Sequence, residues 1–157
     1  MRQMTELPHG PHLVYFADPM CSWCWGFSPV VAAIELEFGN DLPIHPVMGG
    51  LRPYTKELVS KVDMEAVRSH WEHVRERTSQ PFDFAFFDRD SFVYDTEPSC
   101  RAIVVMRRSS AELALAGLRR IHTALYQENR DVTDTEELIA IAAATGCDPD
   151  EFRHSLA

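Results

Sequence analysis

The chain has 157 residues, a formal net charge of −9 and 45% hydrophobic residues. That length suits one domain with a real core, or a small domain carrying an insertion, and the apolar share excludes a disordered chain. The acidic balance excludes nucleic acid and anionic membrane surfaces as expected partners, and four cysteines are too few for a disulfide scaffold.

Residues 1–11 form a polar lead with Pro8, Gly10 and Pro11. It holds no apolar signal-peptide core, and no apolar run reaches the ~20 residues of a membrane span, so a cytoplasmic location is expected. Residues 12–17 are an apolar run of strand length, ended by Asp18-Pro19. A helix is predicted from Ser22 or Trp23 to Phe38, stopped by Gly39 and kinked at Pro29. It is apolar over most of its circumference, so it is expected to lie on a sheet and under something else. Residues 42–48 read as a second strand, which Pro43 and Pro46 push to an edge position. A strand–helix–strand unit of this length implies a right-handed crossover and a parallel pair. His45 within that strand reads as a packed or edge histidine.

After Pro53 the pattern is helical. Met64, Val67, Trp71 and Val74 recur at helical spacing and predict a helix over about 56–78, ended by Pro81. His70 and His73 fall on its polar side and are expected in solvent. The aromatic run Phe82 to Phe87 reads as an irregular packed loop. A helix from Pro98 or Ser99 to about Arg108 follows. Ser109 with Glu112 forms a capping box for the next helix, which runs to about Glu128, and Thr133 with Glu136 forms another. Gly146 is a stop, and Asp148-Pro149-Asp150-Glu151 opens a last helix carrying Phe152 and Leu156. The chain thus divides into an N-terminal β-α-β part, residues 1–53, and a helical domain, residues 54–157.

The chemistry-bearing stretch is Cys21-Ser22-Trp23-Cys24, at the start of the first helix. Residues i and i+3 sit about 5–6 Å apart on a helical turn, so two thiols there can reach disulfide range. The first thiol meets unpaired backbone N–H groups and the positive end of the helix dipole, which stabilise a thiolate. Cys21 is therefore read as the nucleophile and Cys24, one turn in, as the resolving thiol. Two other readings compete. The pair could be half of a zinc site, although no second ligand pair stands beside it in sequence. It could be a structural bridge, although so short a loop constrains the unfolded chain little. The redox dithiol ranks first.

A strand, a Cys-x-x-Cys opening a helix, a second strand and a helical block, in that order, resemble a DsbA-like thioredoxin fold. The residues that carry the likeness run from Tyr15 to Phe27 and from Tyr94 to Ala102, the second block being Tyr94-Asp95-Thr96-Glu97-Pro98-Ser99-Cys100-Arg101-Ala102. The chain looks like the DsbA-family oxidoreductases without signal peptides, the predicted protein-disulfide isomerase group. The resemblance implies an α/β, thioredoxin-like fold with a large helical insertion. It implies catalysis by Cys21 and Cys24, and substrate binding by Pro19, Trp23, Trp25, Thr96 and Glu97. For Thr96, Glu97 and Cys100 a second reading stands beside it, a helix N-terminus with a buried cysteine. The C-terminal strands and cis-proline loop of the family have no counterpart after Gly146, so the chain matches the N-terminal three-quarters of such a protein. Its unpaired sheet edge implies a homodimer.

The activity implied is thiol–disulfide exchange on a protein or small-molecule disulfide, with a substrate protein or glutathione as partner and no nucleic acid or membrane. No separate cofactor or metal is expected; the Cys21–Cys24 disulfide is the redox group. The competing enzyme class is a glutathione-binding kappa-class transferase or hydroxychromene-carboxylate isomerase. Those relatives usually carry serine where Cys21 stands. A zinc-holding or adaptor domain, and an inactive fragment, are the remaining alternatives.

Overall fold

The computed structural model describes residues 9–157; the lead residues 1–8 lie outside the described part. Two strands, β1 (Leu13–Ala17) and β2 (Ile44–Met48), flank the helix α1 (Ser22–Phe38). They pair in parallel, with Leu13 opposite Ile44 and Ala17 opposite Met48. Five helices follow: α2 (Lys61–Thr78), α3 (Glu97–Arg107), α4 (Ala111–Tyr126), α5 (Thr135–Ala144) and α6 (Pro149–Leu156).

One face of the sheet is closed. Leu13 and Tyr15 of β1, Ile44 of β2, Val31 and Ile34 of α1 and Leu115 of α4 pack together there. The alternation of β1 turns Val14 and Phe16 the other way, and Phe16 is 71% exposed. The pairing bonds that flank β1 run from Leu13 N–H and to Ala17 C=O. The backbone groups of Val14 and Phe16 therefore face the free edge. α1 lies on the sheet and against α2 and α4, as expected, while Phe27, Val30, Leu36 and Phe38 on it stay exposed.

Pro29 sits inside α1 and supplies no N–H for the Trp25 carbonyl, four residues back. The structure fills that gap from two sides. Ser28 Oγ donates to the Trp25 carbonyl at 2.8 Å and Gln80 Nε2 donates to it at 3.0 Å. The segment after α2 is thereby tied to the first helix. Gly26 serves the same contact: a Cβ there would come within 2.8 Å of Val74 Cγ1, so only glycine lets α2 approach this closely.

Several helix ends differ from the sequence reading, each for a local reason. α2 begins at Lys61, five residues later than expected, because Ser60 caps it by accepting from Asp63 N–H. The residues before it are held elsewhere: Val59 N–H donates to the Phe92 carbonyl, and Leu58 bridges Val93. The helix stops at Thr78 with Ser79 in the left-handed region (φ 60°), before Pro81 is reached. The cap of α4 is Ser110, not Ser109, whose N–H still bonds the Met106 carbonyl of α3. The cap of α5 is Asp134, not Thr133, whose hydroxyl is already donated to Asp131 Oδ1 at 2.6 Å. The cap at Asp148 falls where expected, and Phe152 and Leu156 are buried. The aromatic run from Phe82 is packed: Phe86 is wholly buried and its ring lies 4.9 Å from that of Trp71.

Candidate active site

β1 runs into the loop Asp18-Pro19-Met20, and Cys21 is the N-cap of α1, with extended backbone (φ −95°, ψ 116°). The cap position is fixed from behind. Cys21 N–H donates to the Asp18 carbonyl at 3.1 Å, and the Cys21 carbonyl accepts the first helical bond from Trp25 N–H. The loop is in turn held by a buried carboxylate. Asp18 Oδ1 accepts Met20 N–H at 2.8 Å, and Oδ2 accepts Leu51 N–H at 2.7 Å and the Cys100 thiol at 3.3 Å. Tyr94 donates to the Met20 carbonyl at 2.6 Å, and His122 Nε2 lies 3.2 Å from the Asp18 carbonyl.

Cys21 and Cys24 are both free and both half-buried. Their environments push them apart. The Cys21 thiol is lowered to about 6, first by the hydrogen bond it receives from Cys24 and then by the N–H groups of Cys24 and Trp23, against burial. Those N–H groups face the sulfur without closing a hydrogen bond of ordinary cap geometry. Cys24 is raised well above the usual thiol range by donating that bond, by burial and by the charge on Cys21. One sulfur is thus held as a thiolate near neutrality and its neighbour as a thiol. Tyr15 comes up from the closed face of β1 beside Cys24. Burial and the neighbouring sulfurs raise its phenol above the usual range.

The other residues assigned to substrate binding divide. Trp23 is 47% exposed beside the dithiol, edge-on to His73 of α2. Pro19 and Trp25 are buried. Trp25 is a core residue: its indole donates to the Pro81 carbonyl at 2.9 Å and stacks on Tyr126 at 9° between planes. Thr96 is wholly buried, and its hydroxyl accepts Arg52 N–H at 3.0 Å. Glu97 pairs with Arg101 one turn along α3, at 3.0 Å. The Tyr94–Ala102 block does return to the motif, but it reaches the loop behind the dithiol through Tyr94 and Cys100. Cys100 is pushed up to about 12 by burial and by Asp18.

Four supporting residues were not singled out from sequence: Asp18 and Tyr15 as side chains, and His122 and Tyr126 on α4. The signal for the last two was present. Leu118, His122 and Tyr126 follow at intervals of four, so a helix with Leu118 and Leu125 inward turns both toward the core. His122 is buried neutral, lowered to about 4 by burial alone against the Asp18 carbonyl. Among the described residues no three His, Cys, Asp or Glu side chains gather as metal ligands would. No helix among them is long and apolar enough to cross a membrane.

Known proteins share this fold. A solved structure of a candidate protein disulfide isomerase from Nitrosomonas europaea is 33% identical and superposes with a TM-score of 0.86, over 94% of this chain and 71% of that one. The cytosolic disulfide reductase DsbM of Pseudomonas aeruginosa is 29% identical, with a TM-score of 0.79, over 92% of this chain and 68% of that one. The ClpXP adapter protein SpxH of Halalkalibacterium halodurans is 26% identical over 148 residues, which is 90% of this chain and 47% of that protein. The chain spans about half the length of the curated relatives it matches. The model of the DSBA-like thioredoxin domain matches residues 12–157, and the chain belongs to that family.

Proposed function

We propose that this chain carries out thiol–disulfide exchange with Cys21 as nucleophile and Cys24 as resolving thiol. The observation that carries the reading is the placement of the pair: Cys21 at the N-cap of α1 and Cys24 one turn in, both free and half-buried, with the Cys21 thiol lowered and the Cys24 thiol raised. The Cys21 thiolate attacks one sulfur of a substrate disulfide, and the other leaves as a thiolate with the bonding electron pair. Cys24 then attacks Cys21 Sγ. The mixed disulfide breaks, the second substrate thiolate departs, and Cys21–Cys24 holds the oxidising equivalents. Run backwards, the same steps oxidise a dithiol substrate. No cofactor enters; the dithiol is the redox group.

Replacing Cys21 by serine tests this directly. Turnover of a protein disulfide such as insulin is expected to vanish in C21S, with the fold unchanged by circular dichroism. Turnover equal to that of the unaltered protein overturns the reading.

The substrate class is a protein disulfide or a glutathione mixed disulfide. A structure of DsbM with GSH is 29% identical to this chain, at a TM-score of 0.74, and supports glutathione as the small thiol partner. A cytosolic setting follows the same relative. The curated relatives are named ClpXP adapter proteins, which supports a second reading in which the chain binds a protein without turning it over. C21S separates the two, since an adaptor keeps its binding when the nucleophile is lost. The open edge and outer face of β1, with Phe16, are assigned to a homodimer contact.

A further inference from the structure

The parallel strands β1 and β2 end side by side, Ala17 opposite Met48, so the chain leaves both at one end of the sheet. The carboxyl ends of parallel strands are where open α/β sheets bind their ligands. From β1 the chain enters the dithiol loop; from β2 it enters Gly49-Gly50-Leu51-Arg52. The two loops are tied together. Leu51 N–H donates to Asp18 Oδ2 at 2.7 Å, and the Asp18 carbonyl accepts Cys21 N–H at 3.1 Å. A second tie runs through Tyr94. The guanidinium carbon of Arg52 lies over its ring, 5.5 Å from the centroid, and its hydroxyl donates at 2.6 Å to the carbonyl of Met20, the residue before Cys21. Arg52 therefore stands at the rim of the dithiol by two independent routes.

The backbone of Arg52 is held firmly. Its N–H donates to Thr96 Oγ1 at 3.0 Å, and its carbonyl accepts Thr96 N–H at 3.2 Å and the Thr55 hydroxyl at 3.0 Å. Pro53 follows and keeps it out of helical backbone. The residue is exposed, while the Tyr94 ring beneath its guanidinium is buried. The guanidinium makes no ion pair among the described residues. The carboxylates around it are engaged elsewhere. Asp95 Oδ1 accepts the N–H groups of Tyr54 and Glu97, at 2.8 and 3.0 Å. Glu97 pairs with Arg101 at 3.0 Å, and Asp18 accepts from Met20, Leu51 and Cys100. In a chain of net charge −9, a fixed guanidinium with open donors beside the nucleophile is a place for an anion. Its planar fork matches a carboxylate in particular.

We propose that Arg52 is a specificity-determining residue of the exchange reaction: it binds a carboxylate of glutathione while the glutathione sulfur meets Cys21. This inference rests on the thiol–disulfide reading above. Glutathione carries one carboxylate on the residue beside its cysteine, about 7 Å along an extended chain, and a second at its γ-glutamyl end. In the first step the Cys21 thiolate attacks one sulfur of glutathione disulfide. The Cys21–glutathione bond forms, the original S–S bond breaks, and the second glutathione leaves as a thiolate with the electron pair. Arg52 takes no part in that exchange of bonds. It holds the glutathione that becomes attached to Cys21, and so selects an anionic disulfide over an uncharged one. Thr96, wholly buried, reaches the substrate only through the backbone of Arg52.

The test compares glutathione disulfide with the uncharged bis(2-hydroxyethyl) disulfide. Each reacts with the reduced protein in a stopped-flow instrument, followed by tryptophan fluorescence, since Trp23 stands between the two sulfurs. Cys147 is first replaced by serine, because it is a half-buried thiol outside the site. The readout is the ratio of the two second-order rate constants, glutathione disulfide over the uncharged one. Any effect of Arg52 on the nucleophilicity of Cys21, or on the fold, touches both rates and cancels in that ratio. In Arg52→Gln the ratio is expected to fall about tenfold, the size of one charge-assisted hydrogen bond. Arg52→Lys should lie between, because an ammonium keeps the charge and loses the fork. Added salt should lower the ratio of the parent and leave that of R52Q flat. A ratio in R52Q within about twofold of the parent, as for an exposed charge that contributes little, overturns the assignment, whether or not both rates drop together. If the parent reacts with neither disulfide, the exchange reading itself fails and this inference with it, which is a different outcome.

Discussion

The helical block and the strand–helix–strand unit solve the same packing problem to different degrees. In the block, Trp71 is 1% exposed and ringed by Phe82, Phe86, Phe87 and Tyr126, with centroids 4.8–5.3 Å away. In the unit, one sheet face and one side of α1 stay open, and Leu36 is 90% exposed. The dithiol lies on the seam between them. Its cysteines belong to the unit, but the loop behind them hangs on Tyr94, Cys100 and His122 of the block. The block therefore acts as the rigid support, and the unit supplies the reactive sulfurs. The largest test of that division is Trp71→Ala. Removing a buried tryptophan costs about 3–5 kcal/mol, and urea denaturation should show a loss of that size. A loss below about 1 kcal/mol would mean that the aromatic cluster is not the anchor of the molecule.

A second test uses acid. His122 titrates near 6.5 in the unfolded chain and at about 4 in the folded one. Between those values the unfolded state binds more protons, so folding stability is complete above pH 6.5 and falls as the pH drops to about 4. The span corresponds to roughly 3 kcal/mol, and it should disappear from the difference between the parent and His122→Gln. His45 of β2 is also lowered, by partial burial and then by His12, but solvent screens it and its share is small. The acid sensitivity thus belongs to the block side of the seam. A slope that survives H122Q and vanishes on replacing His45 would reverse the assignment.

How far the sequence reached depended on whether the signal was local. The β1–Cys21–α1 order, the parallel β2 and the stripe of Trp71 and Val74 were legible, since periodicity and turn residues set them. The caps at Ser110 and Asp134 were missed by one residue. Adjacent Ser, Thr and Asp side chains offer equivalent oxygens, and only the backbone path decides which one closes the cap. Thr96, Pro19 and Trp25 were placed toward substrate because they adjoin the motif in a family pattern. That pattern does not encode burial, and all three are buried. Asp18 read as the end of a strand; its grip on Leu51 and Cys100 depends on contacts 33 and 82 residues away, which no local window contains.

The smallest predicted effect comes from the open side. Phe16 is exposed on β1 and contributes little to the fold of one chain, so Phe16→Ser should shift unfolding by no more than about 0.5 kcal/mol. Its effect should fall on association instead. A strand edge with free backbone groups at Val14 and Phe16, beside an apolar side chain, is a template for pairing with another strand. Light scattering of the parent should give twice the 17.9 kDa of one chain, and F16S should give the single-chain mass. A monodisperse monomer for the parent would remove the homodimer assignment and leave the two-region comparison intact. If F16S instead lost as much stability as W71A, the open face would be part of the core, and the contrast between block and unit would not hold.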